Sequence, residues 1–100
     1  MNEDFYYNVY AIVEEIPKGC VASYQLIAKL CGHPKNCRMV GKALRNADYF
    51  GDYPCHRVVH SDGSLVAGWE EQRTLLEAEH VVFKPSGKVD MKQCLWKISV

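Results

Sequence analysis

The densest concentration of reactive side chains is Tyr53-Pro54-Cys55-His56-Arg57-Val58-Val59. A thiol beside an imidazole, fixed by a preceding proline, is a candidate activated nucleophile. An unperturbed cysteine has a pKa of about 8.5, so little of it is thiolate at neutral pH, and a nearby base or positive field raises that fraction. The base itself needs an orienting partner, usually a carboxylate, and the chain has too many carboxylates for spacing to choose one. Read as an extended segment entering a short strand, Cys55 and His56 point to opposite sides and communicate through a tight turn or a bridging water. The plainer reading is a small buried apolar cysteine next to a surface histidine.

Charge surrounds this segment unevenly. The whole chain is neutral, with 12 basic and 12 acidic residues. Residues 29–57 nevertheless hold Lys29, Lys35, Arg38, Lys42, Arg45 and Arg57 against Asp48 and Asp52, a local net of +4, while residues 1–28 net −3 and residues 58–100 net −1. A general polycationic nucleic-acid coat is excluded, and any DNA contact must come from this local patch. A solvated helix face accounts for the same charges.

The elements that must position these residues follow from periodicity and punctuation. Phe5, Val9, Ile12, Val13 and Ile16 recur at helical spacing up to Pro17 and Gly19. Ser23 is a natural N-cap for a short helix carrying Leu26, Ile27, Leu30 and Cys31, and Gly32 its terminator. Pro34 suits the first turn of a third helix over 35–45. Two short helices across Gly32-His33-Pro34 have the proportions of a helix-turn-helix. Residues 47–53 read as an aromatic, acidic loop and His56–Val59 as a short strand. Ser61-Asp62-Gly63 is a turn. Residues 69–79 form a helix with Leu75 and Leu76 inward, and 81–83 and 88–91 a hairpin around Pro85-Ser86-Gly87. Leu95, Trp96 and Ile98 are expected to pack back on the core.

Length and composition frame this as one domain, residues 1–100, with the usual globular balance of 48% apolar and 24% charged residues. No apolar run approaches the ~20 residues of a membrane helix, and the acidic start lacks a signal peptide's basic region. Five cysteines, at 20, 31, 37, 55 and 94, are an odd number. With no export signal, a reducing cytosol and free thiols are expected, Cys20, Cys31, Cys37 and Cys94 as small buried residues. Cys31, His33 and Cys37 cluster, but no second pair follows at zinc-site spacing, so no metal site is expected.

Pro54-Cys55-His56-Arg57-Val58 resembles the active-site signature of the O6-alkylguanine-DNA alkyltransferases, in their C-terminal catalytic domain. Three further segments carry the resemblance: Ala22-Ser23-Tyr24-Gln25, Arg38-Met39-Val40-Gly41-Lys42-Ala43-Leu44-Arg45, and Leu75-Leu76-Glu77-Ala78-Glu79. The order and rough spacing agree over residues 5–83. The resemblance implies a mainly α fold with a small β element, built as a winged helix-turn-helix-like DNA-binding domain. It implies Cys55 as alkyl acceptor, His56 as base acting through a water, and Glu79 as the carboxylate orienting His56. Tyr24 would meet the phosphate beside the target nucleotide, and Arg38 would fill the stack where the target base has left. Gly41 and Ala43 would allow close backbone approach to the groove, and Lys42, Arg45 and Arg57 would contact DNA. Tyr24, Pro54, Val58 and Trp69 would line the base pocket. Because O6 inside a duplex is out of a protein thiol's reach, the nucleotide must be flipped out. No metal or organic cofactor is implied. The implied partner is duplex DNA containing O6-alkylguanine, bound by a monomer away from membranes, in the cytoplasm or nucleoid of a prokaryote or the nucleus of a eukaryote.

The sequence departs from that pattern in places. The family's asparagine two residues after the position of Arg45 is Ala47 here, with Asn46 one place early. The stretch between Val59 and Glu79 is about three residues short, Gln72 stands where a lysine is expected, and Ala67-Gly68-Trp69-Glu70-Glu71 replaces a glycine-rich stretch. Trp69 suits either a pocket wall or the core. The tail, from Val81-Val82-Phe83 to Trp96, is similar to that of the alkyltransferase-like proteins, which bind alkylated guanine without repairing it and carry tryptophan at the position of Cys55. The leading expectation is a single-turnover methylated-DNA–protein-cysteine methyltransferase. The alternatives are a non-enzymatic lesion sensor that signals to another repair protein, and a plain helix-turn-helix DNA binder.

Overall fold

The computed structural model describes residues 3–98. Helix α1 spans Glu3–Glu14. Phe5, Val9 and Val13 form its buried stripe, each contributing roughly 1.5–3 kcal/mol over exposure. The stripe continues to the buried Ile16, but the helix does not. Glu15 and Ile16 close tighter bonds to the Ile12 and Val13 carbonyls at 3.0 and 3.1 Å, a 3₁₀-like ending imposed by the approach of Pro17. Tyr10 is also fully buried, and its hydroxyl donates to the Ala43 carbonyl at 2.7 Å, tying α1 to the helix that carries the basic patch.

Strand β1 (Ala22–Ser23) leads into α2 (Tyr24–Leu30). The Ser23 hydroxyl accepts from the Leu26 amide at 3.0 Å, the cap expected of it. Gly32 adopts φ +83°. Its amide donates to the Lys29 carbonyl at 3.0 Å and that of His33 to the Ala28 carbonyl at 2.9 Å, a Schellman ending. Helix α3 then runs Cys37–Arg45. Pro34 is thus not in its first turn. A reverse turn closed by the Asn36 amide on the His33 carbonyl at 2.9 Å intervenes, and α3 starts two residues later than expected. Val40 and Ala43 face inward, so α2 and α3 form the helix-turn-helix-type unit.

The β element lies between two apolar cores. Strand β2 (Val58–Val59) pairs parallel with β1, Ala22 opposite Val58 and Ser23 opposite Val59. Side chains alternate across the strands. Ala22 and Val58 join the core under α1–α3, while Val21 and Val59 join a second core with Leu76, Val81, Val89 and Cys94. The C-terminal stretch closes beside β1 as expected, with Trp96 donating to the Val21 carbonyl at 2.7 Å, although Ile98 is exposed.

Helix α4 spans Glu71–Ala78 and a last helical turn, α5, Met91–Cys94, which sequence reading missed. Leu76 is buried, but Leu75 is 39% exposed, not inward. The inward face of α4 is set by Gln72 and Leu76, four residues apart, and Leu75 lies about 100° round the helix from Leu76. The expected hairpin reduces to one antiparallel bridge, Phe83 with Val89. Gly63 is obligatory: φ is +89°, and a Cβ there would stand 2.5 Å from the Val89 carbonyl oxygen. Among the described residues no helix is long and apolar enough to cross a membrane.

Candidate nucleic-acid interface

Pro54 sits at φ −77°, ψ 61°, and the Cys55 amide donates to the Tyr53 carbonyl at 2.8 Å. This is an inverse γ-turn. It feeds a 3₁₀ turn, Cys55–Arg57, before β2 begins. Cys55 and His56 are therefore not on opposite faces of an extended chain, as the sequence reading had them. The turn leaves Cys55 half-buried on the wall of an open cleft of about 1520 Å³.

His56 and Arg57 both turn towards Glu79, the C-cap of α4. His56 Nε2 is 3.0 Å from Glu79 Oε2. Arg57 donates through Nε to Oε1 at 2.9 Å and through Nη2 to Oε2 at 2.8 Å, a bidentate fork. Its Nη1 donates to the Ile16 carbonyl at 2.8 Å. Glu79's carboxyl is held down at about 2, chiefly by the Arg57 hydrogen bonds, with His56 adding to them against the opposing effect of burial. His80, next in the chain, has φ +67°. The His80 and Val81 amides donate to the Glu77 and Leu76 carbonyls at 3.0 and 3.1 Å, so a second Schellman ending fixes the place of Glu79. The arginine expected to contact DNA is instead taken up inside the protein, its side chain only 11% exposed.

Gln72, fully buried, joins the floor to the wall. Its Nε2 donates to the His56 and Val58 carbonyls, both at 3.1 Å, and its Oε1 accepts from the Val66 amide at 2.7 Å. A lysine cannot supply that acceptor. Val66 and the half-buried Trp69 lie on the cleft wall. Val58 does not line the pocket, contrary to expectation, because its side chain faces the core from β2. Pro54 does line it.

Across the cleft stands α3. Arg38, Lys42 and Arg45 line the opening and are exposed, and none forms an ion pair among the described residues. Gly41 also lines it, with open space where a Cβ would be. Ala43 is not a groove-facing residue, since it lies in the core beneath the Tyr10 hydroxyl. Asn46 caps α3, Nδ2 donating to the Lys42 carbonyl at 3.0 Å, while Ala47 is buried.

Tyr24 enters the cleft from the start of α2, its hydroxyl pushed up by burial and by the Cys55 charge, with Arg45 opposing. Its ring lies 5.2 Å from that of His60, an exposed cleft residue that sequence reading passed over. Asp48 and Asp52 line the same space. Burial, then Asp48, then Asp52 push the Cys55 thiol up to about 11.

Residues 4–81 match the family described as "6-O-methylguanine DNA methyltransferase, DNA binding domain". A "DNA base-flipping protein" of Vibrio parahaemolyticus is 34% identical over 98 residues, covering 95% of this chain and 98% of that protein. "Alkyltransferase-like protein 1" of Schizosaccharomyces pombe is 34% identical over 104 residues, covering 95% and 96%. A crystal structure of S. pombe Atl1 with damaged DNA containing O6-carboxymethylguanine superposes with a TM-score of 0.84 at 32% identity, over 98% of this chain and 100% of that one. A methylated-DNA–protein-cysteine methyltransferase, that of Rattus norvegicus, is matched over 57 residues and 27% of its length. These likenesses overturn the expectation of a single-turnover alkyltransferase. The relatives matched end to end are named for base flipping and for likeness to alkyltransferases, and the methyltransferase is matched only in part. By its sequence match and its fold, the chain belongs to the family of the 6-O-methylguanine DNA methyltransferase DNA-binding domain.

Proposed function

We propose that this protein is a non-enzymatic lesion-binding protein that flips O6-alkylated guanine out of duplex DNA and holds it in the cleft between α3 and the Cys55 turn. The observation that carries the reading is the division of the cleft. Exposed cations that form no ion pair among the described residues line one side of it, and Cys55, half-buried on its wall, has its thiol pushed up by burial and by Asp48 and Asp52. The cations suit phosphate, and a thiol so raised is a weak nucleophile towards a base held against it.

In this reading Lys42 and Arg45 neutralise backbone phosphates. Arg38 enters the stack in place of the extruded base, offsetting part of the unstacking cost of a few kcal/mol. Gly41 lets α3 approach the groove closely. Tyr24 bears on the phosphate beside the target nucleotide and, with Pro54 and Trp69, encloses the base. Removal of the lesion then falls to a separate repair activity.

The test is paired. Fluorescence anisotropy compares duplexes differing only by O6-methylguanine or guanine, and intact mass is recorded after prolonged incubation with the lesion duplex. Preferential binding with unchanged mass is expected. Equal affinity for both duplexes, or one added methyl on Cys55, overturns the proposal.

A further inference from the structure

The two walls of the cleft are joined in the core by Tyr10. One wall is α3, with Arg38, Gly41, Lys42 and Arg45 along the opening, and the other is residues 53–57, every one of them lining the cleft. The chain between them passes through a 3₁₀ turn, Ala47–Tyr49, and then the exposed Gly51 and Asp52. The Gly51 amide donates to the Ala47 carbonyl at 3.1 Å, and backbone bonding among the described residues resumes only at the Cys55 amide. Tyr10 bridges that stretch from α1. Its hydroxyl donates to the Ala43 carbonyl at 2.7 Å, a helix-end carbonyl that also takes the Asn46 amide at 3.2 Å. Its ring lies nearly flat on that of Tyr53, centroids 4.7 Å apart and planes within 14° of parallel. Tyr53 in turn supplies the carbonyl that closes the γ-turn before Cys55, and its ring lies so close to Gly51 that a Cβ there would stand 3.1 Å from Cε2.

Capture of an extruded base needs both walls at once, because the base stays tethered to the backbone that α3 holds. Resting on the lesion-binding reading above, we infer that Tyr10 is a positioning residue for lesion recognition: by bonding to α3 and stacking on Tyr53 it fixes the span between the helix that meets the duplex and the turn that meets the base. Encounter with intact duplex uses α3 and does not depend on that span, whereas seating a flipped nucleotide does. Errors of about an ångström in such a span are enough to lose a preorganised site. Loss of the Tyr10 hydroxyl therefore lowers lesion preference by about fivefold, the net worth of one buried hydrogen bond, and spares binding to undamaged DNA.

The experiment measures anisotropy of the full chain on two duplexes that differ only by O6-methylguanine or guanine, across a salt series. In Tyr10→Phe, which keeps the stacked ring, the ratio of the two affinities is expected to fall about fivefold, while the affinity for the guanine duplex and its salt slope stay at the wild-type values. Val89→Ala serves as control: it loosens the second core, so it is expected to unfold at lower urea with the ratio intact. An unchanged ratio in Tyr10→Phe overturns the positioning role. Equal weakening of both duplexes in Tyr10→Phe overturns it too, as does a fall in the ratio just as large in Val89→Ala, since each is what general loosening produces. Equal wild-type affinity for the two duplexes overturns the lesion-binding reading itself, and the role of Tyr10 with it.

Discussion

His56 and Glu79, 23 residues apart, stand with Nε2 and Oε2 at 3.0 Å, and the same carboxylate holds both Nε and Nη2 of Arg57. One acid thus closes the loop between the Cys55 turn and the end of α4. Since Arg57 also reaches the Ile16 carbonyl at 2.8 Å, the pairing ties the turn to the end of α1 as well. On the lesion-binding reading, these three side chains brace the Cys55 turn against α4.

The brace makes stability pH-dependent in a definite direction. Glu79's carboxyl is lowered to about 2 in the folded protein from an ordinary 4.5. Its contribution is therefore complete above 4.5 and is lost as pH falls from there towards 2. Glu79→Gln also leaves the Arg57 guanidinium largely buried without its counter-charge. Urea unfolding at pH 7 is expected to show a loss of about 2–3 kcal/mol, with variant and wild type converging as the carboxyl protonates. A difference that persists undiminished at the lowest pH would show that the carboxylate charge is not what braces the turn.

Cys55 should behave as a suppressed thiol. With its pKa pushed up to about 11, its alkylation by iodoacetamide, followed on the Cys55 peptide by mass spectrometry, is expected to rise about tenfold per pH unit from neutral pH upward. Asp48→Asn/Asp52→Asn should increase the rate at fixed pH, since both acids raise the pKa. A plateau below pH 9, or no response to the double substitution, contradicts the described environment.

The basic face of α3 should read out in salt dependence. Lys42→Ala and Arg45→Ala are each expected to reduce the slope of log affinity against log salt by about one and to weaken damaged and undamaged duplexes alike. Arg38→Ala should act differently if, as proposed, Arg38 fills the stack: it should lower the preference for the lesion duplex. Uniform weakening by all three substitutions would remove Arg38 from the stack.

Local signals in the sequence account for α1, the Ser23 cap and the Gly32 ending, because each depends on residues within a turn of one another. The identity of the cleft was legible in Pro54-Cys55-His56-Arg57-Val58, but its geometry was not. β1 and β2 are two residues each and exist only through a pairing 36 positions apart, Ala22 with Val58, which no local periodicity reveals. Arg57 reads as one more cation of a basic patch until Glu79 and Ile16 arrive from distant segments. Asp48 and Asp52 lower a charge count in the sequence, whereas in the fold both carboxylates bear on the Cys55 sulfur. A buried glutamine is the hardest case, since its type predicts exposure.

Gln72 offers the sharpest test of that long-range construction. Its amide serves two carbonyls and one N–H at once, so Gln72→Leu deprives three backbone groups of that partner, the Val58 carbonyl in the interior and the other two at its margin. The expected cost is about 2–4 kcal/mol in urea unfolding, more than a hydrophobic replacement of similar size usually brings. Gln72→Glu keeps the acceptor for the Val66 amide but turns an anionic oxygen towards the His56 and Val58 carbonyls. It should be less stable than the leucine variant at pH 7 and recover on acidification, when the protonated acid can donate again. If Gln72→Leu instead unfolds at the wild-type urea concentration, the amide is not what joins the Cys55 turn to the Val66–Trp69 wall.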